Sequence, residues 1–386
     1  MTFRKVIKVR FESEDVTWLT EACKRQIEGC QRKAFDGTTL FTPDGTGHYG
    51  ALWTRDFYYV TTVFDLLDPR EVRAALEYLL RGQRADGVMP DRRQADGTSV
   101  YCAGSQEQPV GLPPLDNSAF SVLLVWEYVR HTGEAAFFGK HRDGLLRAQA
   151  AIPRGEKGLV FNDPVRPHSP YGFADTVGQT GELLYCSLLD WQAWTALAAM
   201  LDLLGDRSQG ARCRARADLI VRGIQTLWDE ASGMFLAASH DCRQIDIWGS
   251  AFAVAVDFPL PLARRGKITA YLARNIDSIS QAGQIRHLPA GAYWQRLLAP
   301  IAPDHYQNGG YWGTATGWAM LALAQEYPEI TRRLFHTMVA DYRRSGIYEW
   351  ICGDRRTLPR YVASAVNPLA AARQLQSQFG FPHEDS

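Results

Sequence analysis

Seven carboxylates stand just ahead of apolar runs: Asp56, Asp116, Asp175, Glu182, Asp246, Asp304 and Glu349. Among them the chain places Trp53, Arg55, Trp248, His305, Tyr306, Gln307, Asn308, Tyr311, Trp312 and Trp350. Hydrolysis of a glycosidic bond needs one protonated acid on the leaving oxygen and one carboxylate that activates water. Aromatic rings beside Gly, Asn, Asp and Gln suit a sugar site. Each residue also has a plain structural reading. Asp116 and Asp68 stand where helix N-caps stand, and for a lone Asp before a helix that is the commoner role. Asp56 beside Arg55 reads equally as a buried ion pair, and Glu349 as a loop charge. Trp53, Trp248, Trp312 and Trp350 read as core. What argues for chemistry is the phase of these residues with the helices.

Apolar residues at three- and four-residue spacing predict about twelve helical segments, at 15–33, 52–66, 69–82, 117–131, 134–151, 180–204, 207–229, 247–256, 260–276, 311–326, 328–343 and 361–377. Asp68 followed by Pro69 marks one helix start plainly. The even-numbered segments, such as "SAFSVLLVWEYV" and "LLYCSLLDWQAWTALAAML", are apolar nearly all round, as helices buried on every side are. The odd-numbered ones, such as "EITRRLFHTMVADYRR", keep a charged face. Two classes alternating six times predict an all-α fold, an (α/α)6 toroid with six inner helices inside six outer ones. The chain reads as one such domain over 1–386, with a short N-terminal extension at 1–14. There "FRKVIKVRF" alternates like a short strand.

In such a ring the stretches leading into the inner helices share one end. They are "GALWTRDFYY", "GLPPLDNSAF", "SPYGFADTVGQTGE", "RQIDIWGS", "APDHYQNGGYW" and "GIYEWICGDRRTLPRYVAS". The seven carboxylates and ten neighbours all fall within these six stretches. The N-termini of the inner helices stabilise a carboxylate held there, so raising its pKa calls for burial or a second carboxylate close by.

Composition narrows the partners. The 386 residues are 46% apolar, enough to bury a large core, and formal net charge is zero. No long basic stretch suits nucleic acid. No run of about 18 apolar residues suits a membrane span. The N-terminal "MTFRKVIKVRFESED" reads as mature protein. The seven cysteines are an odd number without CxxC or Cys/His spacing, so no metal or other cofactor is expected. Buried free thiols and a reducing, cytoplasmic setting follow. A small carbohydrate is the expected partner, and the oligomeric state is not legible.

The motifs bear a resemblance. "LWTRDF" resembles the WxRD motif of the six-hairpin glycosidases, which include glucoamylases, trehalases, neutral invertases and processing α-glucosidases. "YGFADTVGQTGELLYCSLLDWQAWTALAAMLDLLG" is similar to the trehalase and processing-glucosidase segment that begins Gly-Trp/Met-Asp. "YQNGGYW" is similar to His-Asn-Gly-Gly-x-Trp of neutral invertases, "YEWICGD" to their C-terminal Glu-Tyr-x-x-Gly, and "DNSAFSVLLVWEYVRHTGE" to a shared helical hairpin. The resemblance covers roughly 50 to 355. It implies Asp175 as general acid and Glu349 as general base. Arg55, Asp56, Gln307 and Asn308 would bond sugar hydroxyls, and Tyr311 and Trp312 would shape the pocket. Gly309 and Gly310 would let backbone approach the ligand. Here Gly-Phe-Ala-Asp replaces Gly-Trp-Asp, which leaves Asp116 and Glu182 as rivals for the acid.

The expected activity is inverting hydrolysis of a small, α-linked glucoside or related disaccharide, with carboxylates about 6.5–9.5 Å apart. Three alternatives use the same barrel. A sugar epimerase would need a facing pair among His48, His168, His240, His287 and His305. An unsaturated-uronide hydrolase would need a basic pocket, for which Arg286, Arg296 and Arg360 are available. A sugar-binding protein would need no catalysis.

Overall fold

The computed structural model describes residues 9–377. Its helices are α1 (Ser13–Gly29), α2 (Thr54–Thr61), α3 (Pro69–Leu80), α4 (Asn117–Thr132), α5 (Ala135–Ala150), α6 (Leu184–Leu203), α7 (Arg207–Gly223), α8 (Ile247–Ala255), α9 (Leu262–Ile279), α10 (Thr316–Leu323), α11 (Pro328–Ser345) and α12 (Ala363–Ser377). The strand expected over 3–11 lies mostly outside the described residues, and 9–11 carry no regular structure.

Local chemistry sets the ends. The Asp68 carboxylate accepts from Arg70 N at the start of α3, with Pro69 in the first turn. Asp206 and Asp246 cap α7 and α8 in the same way. Gly133, at φ 74°, ends α4 in the left-handed conformation that glycine adopts without strain.

Burial separates two classes of helix. On α7 the buried residues are Gly210, Cys213, Ala217, Ile220 and Gly223, a single stripe at helical spacing. On α6 buried residues run all round, from Leu184 to Leu201. The even helices touch in the order α2, α4, α6, α8, α10, α12 and back to α2, which closes a ring. Around it α1 lies on α12, α3 on α4, α5 between α4 and α6, α7 on α6, α9 on α8 and α10, and α11 on α10. The expected double ring is the observed fold.

Helix α12 runs through Pro368, which has no N–H for the Ser364 carbonyl one turn back. The Tyr342 hydroxyl of α11 donates to that carbonyl at 2.9 Å. Gly313 leaves the room: a Cβ there would fall 1.9 Å from the Tyr342 hydroxyl oxygen.

The chain differs from a nearly all-helical reading in the stretches ahead of the inner helices. These form short antiparallel strands, including a five-stranded sheet of Ser280–Gln281, Gln284–Arg286, Tyr311–Trp312, Tyr348–Cys352 and Arg355–Pro359. The last two make a hairpin whose Cys352–Arg355 pair encloses Gly353 and Asp354. The inner helices other than α4 are correspondingly shorter than expected. α2 begins at Thr54 rather than 52, and α10 at Thr316 rather than 311. Residues 31–33, expected to continue the first helix, pair as a strand with 39–41.

Candidate active site

Of the six stretches expected to share one end, those leading into α2, α6, α10 and α12 frame one cavity, while those leading into α4 and α8 do not line it. Asp56 and Arg55 reach it from the first turn of α2, Asp175 from the stretch ahead of α6, and Glu349 from the strand ahead of α12. Trp53, Tyr49, Phe173, Tyr306 and Tyr361 supply its aromatic wall.

Arg55 organises the floor. It is buried, ion-paired closely with Asp91, and bonded through Nε to Asp116 Oδ2 at 3.2 Å. The same Asp116 oxygen accepts from Gly172 N at 2.9 Å, which draws the Gly172–Ala174 turn down onto the guanidinium. Only glycine fits at 172, because a Cβ would fall 1.7 Å from Arg55 Nε. That turn ends at Asp175.

Three carboxyls share the cavity. Burial pushes Asp56 up to about 6 against the opposing pull of Arg55, and Tyr361 donates to its Oδ1 at 2.7 Å. Burial likewise pushes Asp175 up to about 7, with Arg55 and the Gln307 amide working the other way. Glu349 is raised well above the usual carboxylate range, first by burial and then by the neighbouring Asp56 and Asp175 charges. Tyr49 opposes this by donating to Glu349 Oε1 at 2.9 Å. The Asp44 carboxylate carries Tyr49 into place by gathering the backbone N–H groups of Thr46, His48 and Tyr49.

Trp53 is held by its indole N–H on Tyr49 O, with the Arg92 guanidinium 4.4 Å above its ring. Tyr306 comes from a strained turn. Tyr306 and Asp304 both have positive φ, 44° and 60°, and Gly310 N closes the turn onto Tyr306 O at 3.0 Å. A Cβ at Gly310 would fall 2.5 Å from that oxygen.

Of the residues expected from sequence, Trp53, Arg55, Asp56, Asp175, Tyr306 and Glu349 line the cavity. The others stand behind it, and each has a structural partner that accounts for its place. Asp116 is spent on Arg55 and Gly172. Glu182 pairs with Lys157 at 3.0 Å. Trp248 is buried against His287, with its indole N–H on Ile285 O. Trp312 is buried edge-on to Trp248 and packed on Phe173. Asn308 accepts from Trp294 N and donates to Ile301 O. Tyr311 lies under the Arg286 guanidinium, and His305 Nδ1 meets Pro303 O. Trp350 is buried with its ring 6.1 Å from that of His305. Gln307 is enclosed by protein groups. Of the weaker candidates, Asp246 caps α8 and Asp304 accepts from Tyr293.

Tyr49, Phe173 and Tyr361 were missed. Phe173 and Tyr361 lie in stretches already expected to wall the pocket, but no motif singled them out. Tyr49 stands four residues before Trp53, and its loop gave no periodic signal. None of the five loop histidines lines the cavity, and among the described residues Arg55 is the only guanidinium that does.

No known family's sequence pattern matches the chain, and no curated protein sequence matches it. Solved structures do. A rhamnosidase from Klebsiella oxytoca with rhamnose bound superposes with a TM-score of 0.69 at 14% identity, over 95% of this chain and 65% of that one. A GH63 mannosylglycerate hydrolase from Thermus thermophilus in complex with glucose gives 0.65 at 15% identity, over 91% and 99%. A glucoamylase from Saccharomycopsis fibuligera gives 0.65 at 11%, over 98% and 100%. The fold is therefore that of the six-hairpin (α/α)6 barrels.

Proposed function

We propose that the chain is an inverting glycoside hydrolase acting on a small, α-linked glucoside or related disaccharide. The observation that carries this reading is the placement of Asp175 and Glu349. They stand ahead of α6 and α12, the third and sixth helices of a ring of six, and so reach one cavity from opposite walls. Inversion needs its acid and its base on opposite faces of the sugar. Asp175 gives its proton to the leaving oxygen as the anomeric C–O bond breaks. Glu349 takes a proton from the water whose oxygen forms the new bond. Asp56 and Arg55 receive hydroxyls of the ring, and Trp53 and Phe173 offer it apolar faces.

Charge around the cavity favours this over the alternatives. Arg55 already serves Asp91 and Asp116, so among the described residues no free cation awaits a uronate carboxylate. The lining holds no histidine among the described residues, which removes the acid–base pair an epimerase would use. The roles of the two carboxyls rest on motif position. Arg55 favours the charged form of Asp175, whereas Glu349 has only the Tyr49 hydroxyl to favour its own.

Free-sugar release from a panel of α-linked disaccharides, with the product anomer followed by NMR, tests the reaction. Asp175→Asn and Glu349→Gln should each lower kcat by about 10²- to 10⁴-fold, the usual range of general acid–base contributions. With an α-glycosyl fluoride, which needs no protonation to leave, Asp175→Asn should recover and Glu349→Gln should not. The reverse pattern exchanges the roles. Sugar binding with no turnover in the wild type sinks the enzymatic reading.

Among the described residues no helix is long and apolar enough to cross a membrane. All seven cysteines are unpaired, and a reducing, cytoplasmic setting is part of the same proposal.

A further inference from the structure

Gln307 shows no exposed surface, yet every hydrogen-bonding position of its amide is filled. Oε1 accepts from Thr176 N at 2.9 Å and from Thr176 Oγ1 at 2.7 Å. Nε2 donates to Gly172 O at 3.1 Å and to Asp175 Oδ1 at 2.8 Å. The two backbone partners fix which end is which. A backbone N–H only donates and a carbonyl only accepts, so the amide has one possible orientation. Its remaining N–H must then point at Asp175 Oδ1.

An oxygen that accepts this N–H is poorly placed to carry a proton of its own. The other oxygen, Oδ2, has no hydrogen-bond partner among the described residues and is not occluded, while Asp175 itself lines the cavity. We infer that Gln307 is a positioning residue for Asp175, holding any proton of that carboxyl on Oδ2, the oxygen presented to the ligand. Gln307 is thus not the hydroxyl-binding group that its motif implies. The bond crosses the ring, tying the turn ahead of α10 to the turn ahead of α6. The inference rests on the proposed hydrolase only for its kinetic consequence.

Other charged or titratable groups also face Asp175. Arg55 and Asp56 come from α2, Asp91 from the connection between α3 and α4, Asp116 from ahead of α4, Tyr49 and Tyr306 from the wall, and Glu349 from opposite. All remain in Gln307→Met, which removes the amide alone. With carboxyl-13C aspartate in the full chain, and Asp175 assigned by its loss in Asp175→Asn, the Asp175 midpoint should rise by about one pH unit in Gln307→Met. In the wild type, the Gln307 side-chain amide protons should shift with the Asp175 midpoint, a reading that needs no variant to fold.

In turnover, Gln307→Met should lower kcat on methyl α-glucoside about 10- to 100-fold, the scale of a misplaced reacting group, with KM near wild type. It should leave α-glucosyl fluoride hydrolysis near wild type. An unchanged Asp175 midpoint, or amide protons indifferent to it, overturns the inference. So does a raised KM with unchanged kcat, which marks a substrate-binding residue, or an equal loss on both substrates, which marks a structural one. Should the wild type turn over no glycoside, the hydrolase reading fails while the titrations still decide this one.

Discussion

At the scale of single residues, the cavity stores free energy in carboxyls held away from water. Asp175 titrates near 7 when folded, against about 3.9 in an unfolded chain. The sign follows. Between those values the unfolded chain has lost the proton and the folded one keeps it, so stability from this group is present below about pH 4 and lost as pH rises through about 7. Asp175→Asn escapes that loss. It should match the wild type at pH 4 and be more stable at pH 8 by roughly 2 kcal/mol, a figure reduced because Asp175 is partly exposed to the cavity. Thermal melts at the two pH values check it. An inactive variant that is also more stable is the expected mark of a group kept for function. The sequence made Asp175, Glu349, Asp56 and Arg55 legible because they sit in short motifs that precede buried helices. It did not separate cavity lining from supporting polar groups. Gln307, Asn308 and Trp312 share a motif with Tyr306, but which of them faces the cavity depends on positive φ at Asp304 and Tyr306. Backbone strain of that kind leaves no mark in a pattern of residue types.

At the scale of elements, the helices were legible and the strands were not. Alternation of fully buried and one-sided helices is a long-window signal, repeated six times. The strands run two to five residues each, too short for a two-residue alternation to register, and some pair across long stretches of chain, such as Leu52 with Arg93 and Tyr311 with Ile351. The Gly353–Asp354 turn between Tyr348–Cys352 and Arg355–Pro359, and the Ala282–Gly283 turn between Ser280–Gln281 and Gln284–Arg286, are two-residue hairpin loops that residue types do favour. The proline inside α12 shows how an element tolerates a local breach when another supplies the missing partner. Tyr342→Phe deletes the donor to Ser364 O and leaves a buried carbonyl unmet. It should destabilise the protein by about 1–3 kcal/mol, read as a lower denaturation midpoint with unchanged slope. A neutral result would mean that water reaches that carbonyl.

At the scale of the whole molecule, the two ends of the chain build one wall. Tyr361 donates to Asp56, Val362 N to Pro43 O, and Gly45 N to Arg360 O, while α12 closes the ring against α2. A chain cut after Ser345 would leave the inner faces of α2 and α10 uncovered. It should bind a hydrophobic dye and melt without a cooperative transition, and a sharp calorimetric peak would contradict this. The Tyr361–Asp56 contact closes a loop of 305 residues, whose entropic cost must be met before the contact forms.

The Tyr361–Asp56 bond has a consequence for timing in the cell. A protein still emerging from the ribosome has its Asp56 and Arg55 early, but Tyr361, which completes their side of the bowl, follows 305 residues after Asp56. A partial product of synthesis that stops short of Tyr361 therefore has that side of the bowl open, and the bowl closes only when the later segment docks.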